Sequence, residues 1–272
     1  MAVGGLNQQI RRRTLLVAGV GTAVVVASQL EGCSGAGSQR SGGTGAPGGR
    51  CVPRSTLTSY SRIGQSVFVY ELSGKVSSFL FDEAFHDQLS EWLTGWSQDH
   101  QRPDQVWTYG AFVDGQPECD SMHAAGRAFD IAQLRFAGET VVSCRYDLWR
   151  GEAASVLEKR RRDYWALAAS LHARFSYVLT YLYNEAHHTH IHVDNLNTQR
   201  ARPTFRSTSR TQCQSVQAMC TYLWGRPLEL TGTWDDATRA SVSDVLSSLG
   251  RSGTLASGDN WVAFCEASAA RA

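Results

Sequence analysis

The chain has 272 residues, 26 of them basic and 25 acidic, for a formal net charge of +1. That balance excludes a general nucleic-acid binder, which needs a strong positive field. Apolar residues make up 42% and charged residues 19%, so a buried core is compatible with the composition, and the length allows two domains plus a leader.

Residues 1–33 read as an export signal. Arg11-Arg-Arg13 precedes an apolar run over 14–28, which is short for a membrane-spanning helix. The run resembles a twin-arginine signal at Arg12-Arg13-Thr-Leu-Leu16. It ends at Leu30-Glu-Gly-Cys33, which resembles a lipobox, so Cys33 is the candidate for lipidation and membrane anchoring. An uncleaved anchor or ordinary secretion is the alternative; every version places the protein outside the cytoplasm, and the lipid anchor places it in the cell envelope. Residues 34–50 are rich in Gly and Ser and are expected to form a flexible tether.

Setting Cys33 aside leaves Cys51, Cys119, Cys144, Cys213, Cys220 and Cys265. An even count in an exported chain suggests three disulfides, and none of these has the Cys-x-x-Cys spacing of a structural zinc site. Cys119 with Cys144 is the first expected pair, because they flank one strand. Cys220 with Cys265 follows, leaving Cys51 with Cys213.

The first folded domain is expected over 51–200. Residues 67–72 and 76–81 alternate as a hairpin around Ser73-Gly-Lys75. Asp82 can cap a helix whose Phe85, Leu89, Trp92 and Trp96 recur at helical spacing and face the core. A strand over 106–113 follows. Residues 152–175 read as a long helix with Tyr164, Leu167, Leu171 and Phe175 on its apolar side, and 177–183 as a β-prone run. Few strands and helices, not alternating regularly, predict an α+β domain around a small antiparallel sheet.

Two segments within it carry chemistry. Ser121-Met-His-Ala-Ala-Gly-Arg-Ala-Phe-Asp130 offers His123 and Asp130. His187-His-Thr-His-Ile-His-Val-Asp194 offers His190 and His192 and holds four of the eight histidines. Side chains alternate along a strand, so His190, His192 and Asp194 share one face while Ile191 and Val193 take the other. Ala128, Asp130 and Ala132 likewise share a face opposite Phe129 and Ile131, and Gly126 lets the chain turn ahead of that strand. Two imidazoles and a carboxylate, with a further His beside them, supply what a catalytic Zn2+ needs: three protein ligands, an open position and a base. Ser121 can support the first ligand or end a turn. Asp194 can hold a ligand His or lie on the surface.

The two segments together resemble the zinc peptidases of the D-Ala-D-Ala carboxypeptidase and murein endopeptidase group. Asn184-x-x-His187-x-x-His190-x-His192-x-Asp194 is closer still to extensin-like C-terminal domains and penicillin-insensitive murein endopeptidases. The resemblance spans roughly 55–197. It implies that His123, Asp130 and His192 bind zinc, that His190 works in catalysis, and that His187 is a second candidate for that role. Many relatives carry an Arg and a Gln on an upstream substrate-facing turn, and residues 106–114 show neither.

Residues 198–210 are polar and basic, which places a linker at 201–211. Beyond it, Val216, Met219, Cys220 and Leu223 form one helical stripe. Asp235 can cap a helix carrying Val242, Val245, Leu246 and Leu249, and Trp261, Phe264 and Cys265 suggest a third. Gly232-Thr-Trp234 followed by Asp236-Ala-Thr-Arg239 resembles the three-helix peptidoglycan-binding domain, which implies a small helical domain over 212–272. The expectation is therefore a zinc-dependent peptidase cutting peptidoglycan, as carboxypeptidase or endopeptidase, with peptidoglycan and the membrane as its partners. The alternative is a non-catalytic wall-binding envelope protein with a structural zinc.

Overall fold

The computed structural model describes residues 51–113, 121–195 and 202–272. The expected leader, the tether, Cys33 and Cys119 lie outside the described residues. Ten strands run in chain order: β1 (Thr58–Tyr60), β2 (Arg62–Ile63), β3 (Ser66–Tyr70), β4 (Lys75–Val76), β5 (Phe79–Phe81), β6 (Gln105–Gly110), β7 (Ala128–Phe136), β8 (Glu139–Ser143), β9 (Tyr177–Leu179) and β10 (Ile191–Asp194). The six α-helices are α1 (Glu83–Asp99), α2 (Tyr146–Trp149), α3 (Ala154–His172), α4 (Arg210–Tyr222), α5 (Asp236–Ser248) and α6 (Gly258–Ala269).

The fold is α+β, as expected. The main sheet runs β2-β3-β6-β7-β10-β9, with β4 added beside β3 and β8 beside β7. All its pairs are antiparallel except β3 with β6. A parallel pair needs a crossover, and α1 lies in it. Asp82 caps α1 by accepting the Phe85 N–H at 3.1 Å. Phe85, Leu89, Trp92 and Trp96 are buried, at 4% exposure or less. Their stripe joins an apolar cluster in which Phe68 and Phe129 of the main sheet and Phe81 of β5 pack with ring centroids within 5.6 Å of one another.

The expected hairpin is divided. Val69 and Tyr70 pair with Val76 and Lys75, but Phe79–Phe81 leaves that ladder and pairs with β1 in a separate two-stranded sheet. The strand expected over 106–113 ends at Gly110, after two irregularities in its pairing with β7. The run over 177–183 is strand only to Leu179.

All described residues fall in one compact unit. Helix α3 contacts β8 and β9 and also α4 and α6. The α4–α6 residues Val216, Met219, Val245, Trp261 and Phe264 belong to the same continuous core as the sheet. Asp235 caps α5 by accepting the Thr238 N–H at 2.8 Å, as its position predicts. No described helix is long and apolar enough to cross a membrane.

The disulfide scheme is corrected. Cys51 is disulfide-bonded, but Cys144, Cys213, Cys220 and Cys265 are free and buried. Cys119–Cys144, Cys220–Cys265 and Cys51–Cys213 are therefore not pairs. All four free thiols are fully enclosed, and that of Cys213 donates to the Ser207 carbonyl at 3.3 Å. Burial pushes the thiol of Cys213 up to about 11 and that of Cys220 up to about 12, so neither is a reactive thiolate near neutrality. Even parity alone does not bring sulfurs within bonding reach.

Gly126 ties this frame to the metal segment. It adopts a left-handed conformation, φ +63°, and its N–H returns to the His123 carbonyl. A Cβ there would meet Leu57 Cδ2 at 2.9 Å and the Asp82 backbone nitrogen at 3.0 Å. Gly126→Ala is expected to cost about 1–2 kcal/mol from the backbone conformation alone, with the clash added. Denaturant unfolding measures the loss; an unchanged midpoint would contradict it.

Candidate metal centre

Two adjacent strands build the site. In the β7–β10 ladder, His192 stands directly opposite Asp130, and Ile191 opposite Ile131. Ile191 and Val193 are fully buried, while His192 and Asp130 lie on the other face with side chains 11% and 15% exposed. The alternation expected from the sequence therefore holds on both strands. The third residue arrives on a 3-10 turn, Met122–Ala125, just before β7. Ser121 caps that turn, its Oγ accepting the His123 backbone N–H at 3.3 Å. The side chain of Ser121 thus sets the turn rather than the imidazole.

The Asp130 backbone is pinned by a bulge. The buried Thr108 hydroxyl donates to the Asp130 carbonyl at 2.6 Å and accepts the Gly110 N–H at 2.8 Å, standing in for a ladder bond where the register shifts.

His123, Asp130 and His192 are the group of residues among those described whose ligand atoms could hold a metal, all within 4.8 Å of one another. His123 Nε2 is 3.2 Å from His192 Nδ1 and 3.3 Å from Asp130 Oδ2, and His192 Nδ1 is 3.0 Å from Asp130 Oδ1. A tetrahedral metal with bonds of about 2.0–2.1 Å separates its ligand atoms by about 3.3–3.4 Å. The three donors thus already lie close to the edges of one face of such a tetrahedron.

Their other nitrogens decide which atoms face inward. His123 Nδ1 donates to the Ala111 carbonyl at 2.5 Å, which leaves Nε2 with its lone pair. His192 Nε2 donates to Asp194 Oδ2 at 2.9 Å, which assigns Nδ1 to the metal. Asp194 is 4% exposed, so it is an orienting partner and not a surface acid.

Charge follows the same pattern. Burial opposes ionisation of Asp130, but the imidazoles of His123, His190 and His192 around it hold its carboxyl well below the usual range. Burial also opposes charge on His192, yet hydrogen bonds to Asp130 and Asp194 carry it up to about 10. A proton on its Nδ1 relieves the repulsion of two imidazole lone pairs at 3.2 Å, and a cation at the same point would do so too.

His190 and His187 stand beside the triad. The segment over 185–189 is a 3-10 turn, and His190 joins it to β10 in extended conformation. His190 Nε2 is 3.6 Å from Asp130 Oδ1, beyond hydrogen-bond range, and its Nδ1 is 3.0 Å from Thr189 Oγ1. Burial pulls its pKa down, which keeps it neutral. His187 is 8% exposed and pushed down to about 3, first by burial and then by His190 and His192. Asn184 Oδ1 accepts both the His187 backbone N–H and its Nδ1–H, at 3.3 and 2.6 Å. His188 turns away, edge-on to Tyr146.

Sequence reasoning missed Tyr109, Thr189 and the Ala111 carbonyl. Tyr109 packs on His190 with ring centroids 5.6 Å apart. Its position alternates with the buried Val106 and Thr108, a signal that places it on the metal's face. Arg145, bound to Glu71 at 2.5 Å and to Asp147 at 2.8 and 2.9 Å, acts by its charge on the Tyr109 phenol, opposing the rise that burial imposes on it.

A metal must displace the Nδ1 proton of His192. Below pH 10 that proton is present, so uptake at pH 7.5 should release one proton per ion, and apparent affinity should rise about tenfold per pH unit over pH 7–9. Calorimetry in buffers of differing ionisation enthalpy reads the proton count; no release would contradict the assignment.

A family model described as extensin-like protein C-terminus matches residues 113–206, the stretch that holds all three triad residues together with His187 and His190. No curated protein and no solved structure matches the chain.

Proposed function

We propose that this chain is an exported zinc-dependent peptidase that hydrolyses peptide bonds of bacterial peptidoglycan. The observation that carries the reading is the convergence of His123 Nε2, Asp130 and His192 Nδ1 on one point, with His190 beside them, its Nε2 3.6 Å from Asp130 Oδ1. Two nitrogens and one carboxylate oxygen are a donor set that suits zinc. The extensin-like match over the same stretch is compatible with peptidases of the carboxypeptidase and murein endopeptidase group. The export signal, the Cys33 lipid anchor and a wall-binding role for α4–α6 complete the reading as proposals drawn from the sequence.

Bound zinc supplies a Lewis acid and a water acidified toward a pKa of about 7. The chain's own residues do the rest. His123 and His192 would present lone pairs to the metal because Ala111 and Asp194 accept hydrogen bonds from their other ring nitrogens. Asp130 contributes fixed negative charge. His190 takes the proton of the attacking water and passes it to the leaving amine, as a general base and then a general acid. His187, kept neutral by burial, packs against the His190 ring with centroids 5.1 Å apart.

One observation favours the rival, a non-catalytic wall-binding protein with a structural zinc. His190 Nε2 lies near enough to the triad that a modest turn of its ring would close the coordination. The two readings separate on His190→Ala. As a proton carrier, its loss should leave stoichiometric zinc and lower turnover about 10²–10⁴-fold. As a fourth ligand, its loss should strip the zinc. Incubating the full chain with muropeptides and reading product masses supplies the turnover and distinguishes terminal D-Ala release from cross-link cleavage. Absence of any new product with fully zinc-loaded protein would overturn the peptidase reading.

A further inference from the structure

Each imidazole of the site has its own hydrogen-bond partner, and one partner differs in kind. His123 is held by a backbone carbonyl, His187 by an amide oxygen and His192 by a carboxylate. All three are pure acceptors, and each locks a single tautomer. The ring of His190 has one hydrogen-bond partner among the described residues, the Thr189 hydroxyl at 3.0 Å. A hydroxyl both donates and accepts, so it serves either tautomer of the ring it holds.

We infer that Thr189 is a positioning residue: its hydroxyl, 3.0 Å from His190 Nδ1, holds the ring so that Nε2 faces the triad. The geometry supports this from three sides. Asp130 Oδ1, 3.6 Å from Nε2, is too far to hold the ring. The Tyr109 and His187 rings pack against it at centroid distances of 5.6 and 5.1 Å, which confines its tilt but not its rotation in plane. Thr189 is the last residue of the 3-10 turn and is branched at Cβ, so few rotamers are open to it and its hydroxyl is presented from a restrained position.

This inference rests on the proposed role of His190 in proton transfer, and its test is built to be read without that role. Zinc-loaded full-length protein is compared with Thr189→Val, which removes the hydroxyl and keeps the shape, with Thr189→Ser, which keeps the hydroxyl, and with Thr189→Ala, which repeats the deletion without the branched side chain. Zinc stoichiometry should stay at the parent value in all three. Side-chain ¹H–¹⁵N spectra of His190 should show one ring environment in the parent and in Thr189→Ser, and a broadened or doubled one in Thr189→Val and Thr189→Ala. On muropeptides, the hydroxyl-free variants should lose on the order of 10- to 100-fold in kcat, the usual effect of removing an orienting partner, with KM little changed. Thr189→Ser should restore both readouts. Unchanged His190 resonances in Thr189→Val, or a Thr189→Ser variant that behaves like it, would overturn the inference. If the parent turns over no peptide, the peptidase reading falls, and the His190 spectra alone still decide whether Thr189 positions the ring.

Discussion

The site depends on the register of two antiparallel strands. With His192 opposite Asp130, an imidazole nitrogen and a carboxylate oxygen come within 3.0 Å across the ladder. A slip of one residue would set Val193 opposite Asp130 and turn His192 into the apolar core, since side chains alternate with period two. What prevents the slip is hydrophobic. Ile191, Val193, Phe129 and Ile131 are fully buried under the helices, and burying each contributes roughly 1.5–3 kcal/mol. The same residues that hold the fold therefore aim the polar ones outward. The Thr108 bulge adds a local lock, taking the place of a ladder bond beside Asp130.

Around this pair, one acceptor is distant in the chain and one is local. The Ala111 carbonyl comes from just past β6, and Asp194 comes from β10 itself, two residues beyond the ligand it orients. Gly126 makes the turn that delivers His123, and its carbonyl accepts the Asp82 N–H at the start of α1. The metal segment is thus joined to the helix that covers the opposite face of the sheet. A centre with two imidazoles, one carboxylate and these outer partners is already shaped before a cation enters, so little ordering is left for binding to bring about.

Much of the site was legible in the sequence because its geometry is local. His190, His192 and Asp194 alternate with Ile191 and Val193, and Asp130 alternates with Phe129 and Ile131; period two is enough to put the polar residues on one face. The helix starts at Asp82 and Asp235 were readable for the same reason, since a cap is a matter of three residues. What escaped is set by distant parts of the chain meeting. No local pattern reports that the Ala111 carbonyl will face His123, or that Phe79–Phe81 will leave its hairpin to pair with β1. Cysteine parity misled in the same way: four sulfurs share the core as buried thiols, and a count says nothing about the distances between them. Asp194 was readable as either an orienting partner or a surface acid, and only its burial decides between them.

The central claim is that a metal sits on His123, Asp130 and His192, with His190 beside it and unligated. An anomalous difference map from a zinc-loaded crystal of the full chain tests this most directly. The account predicts one peak about 2.0–2.2 Å from His123 Nε2, an Asp130 carboxylate oxygen and His192 Nδ1, with His190 Nε2 outside bonding range. A peak bonded to His190 as a fourth protein ligand, or one that leaves out any of the three, would contradict it.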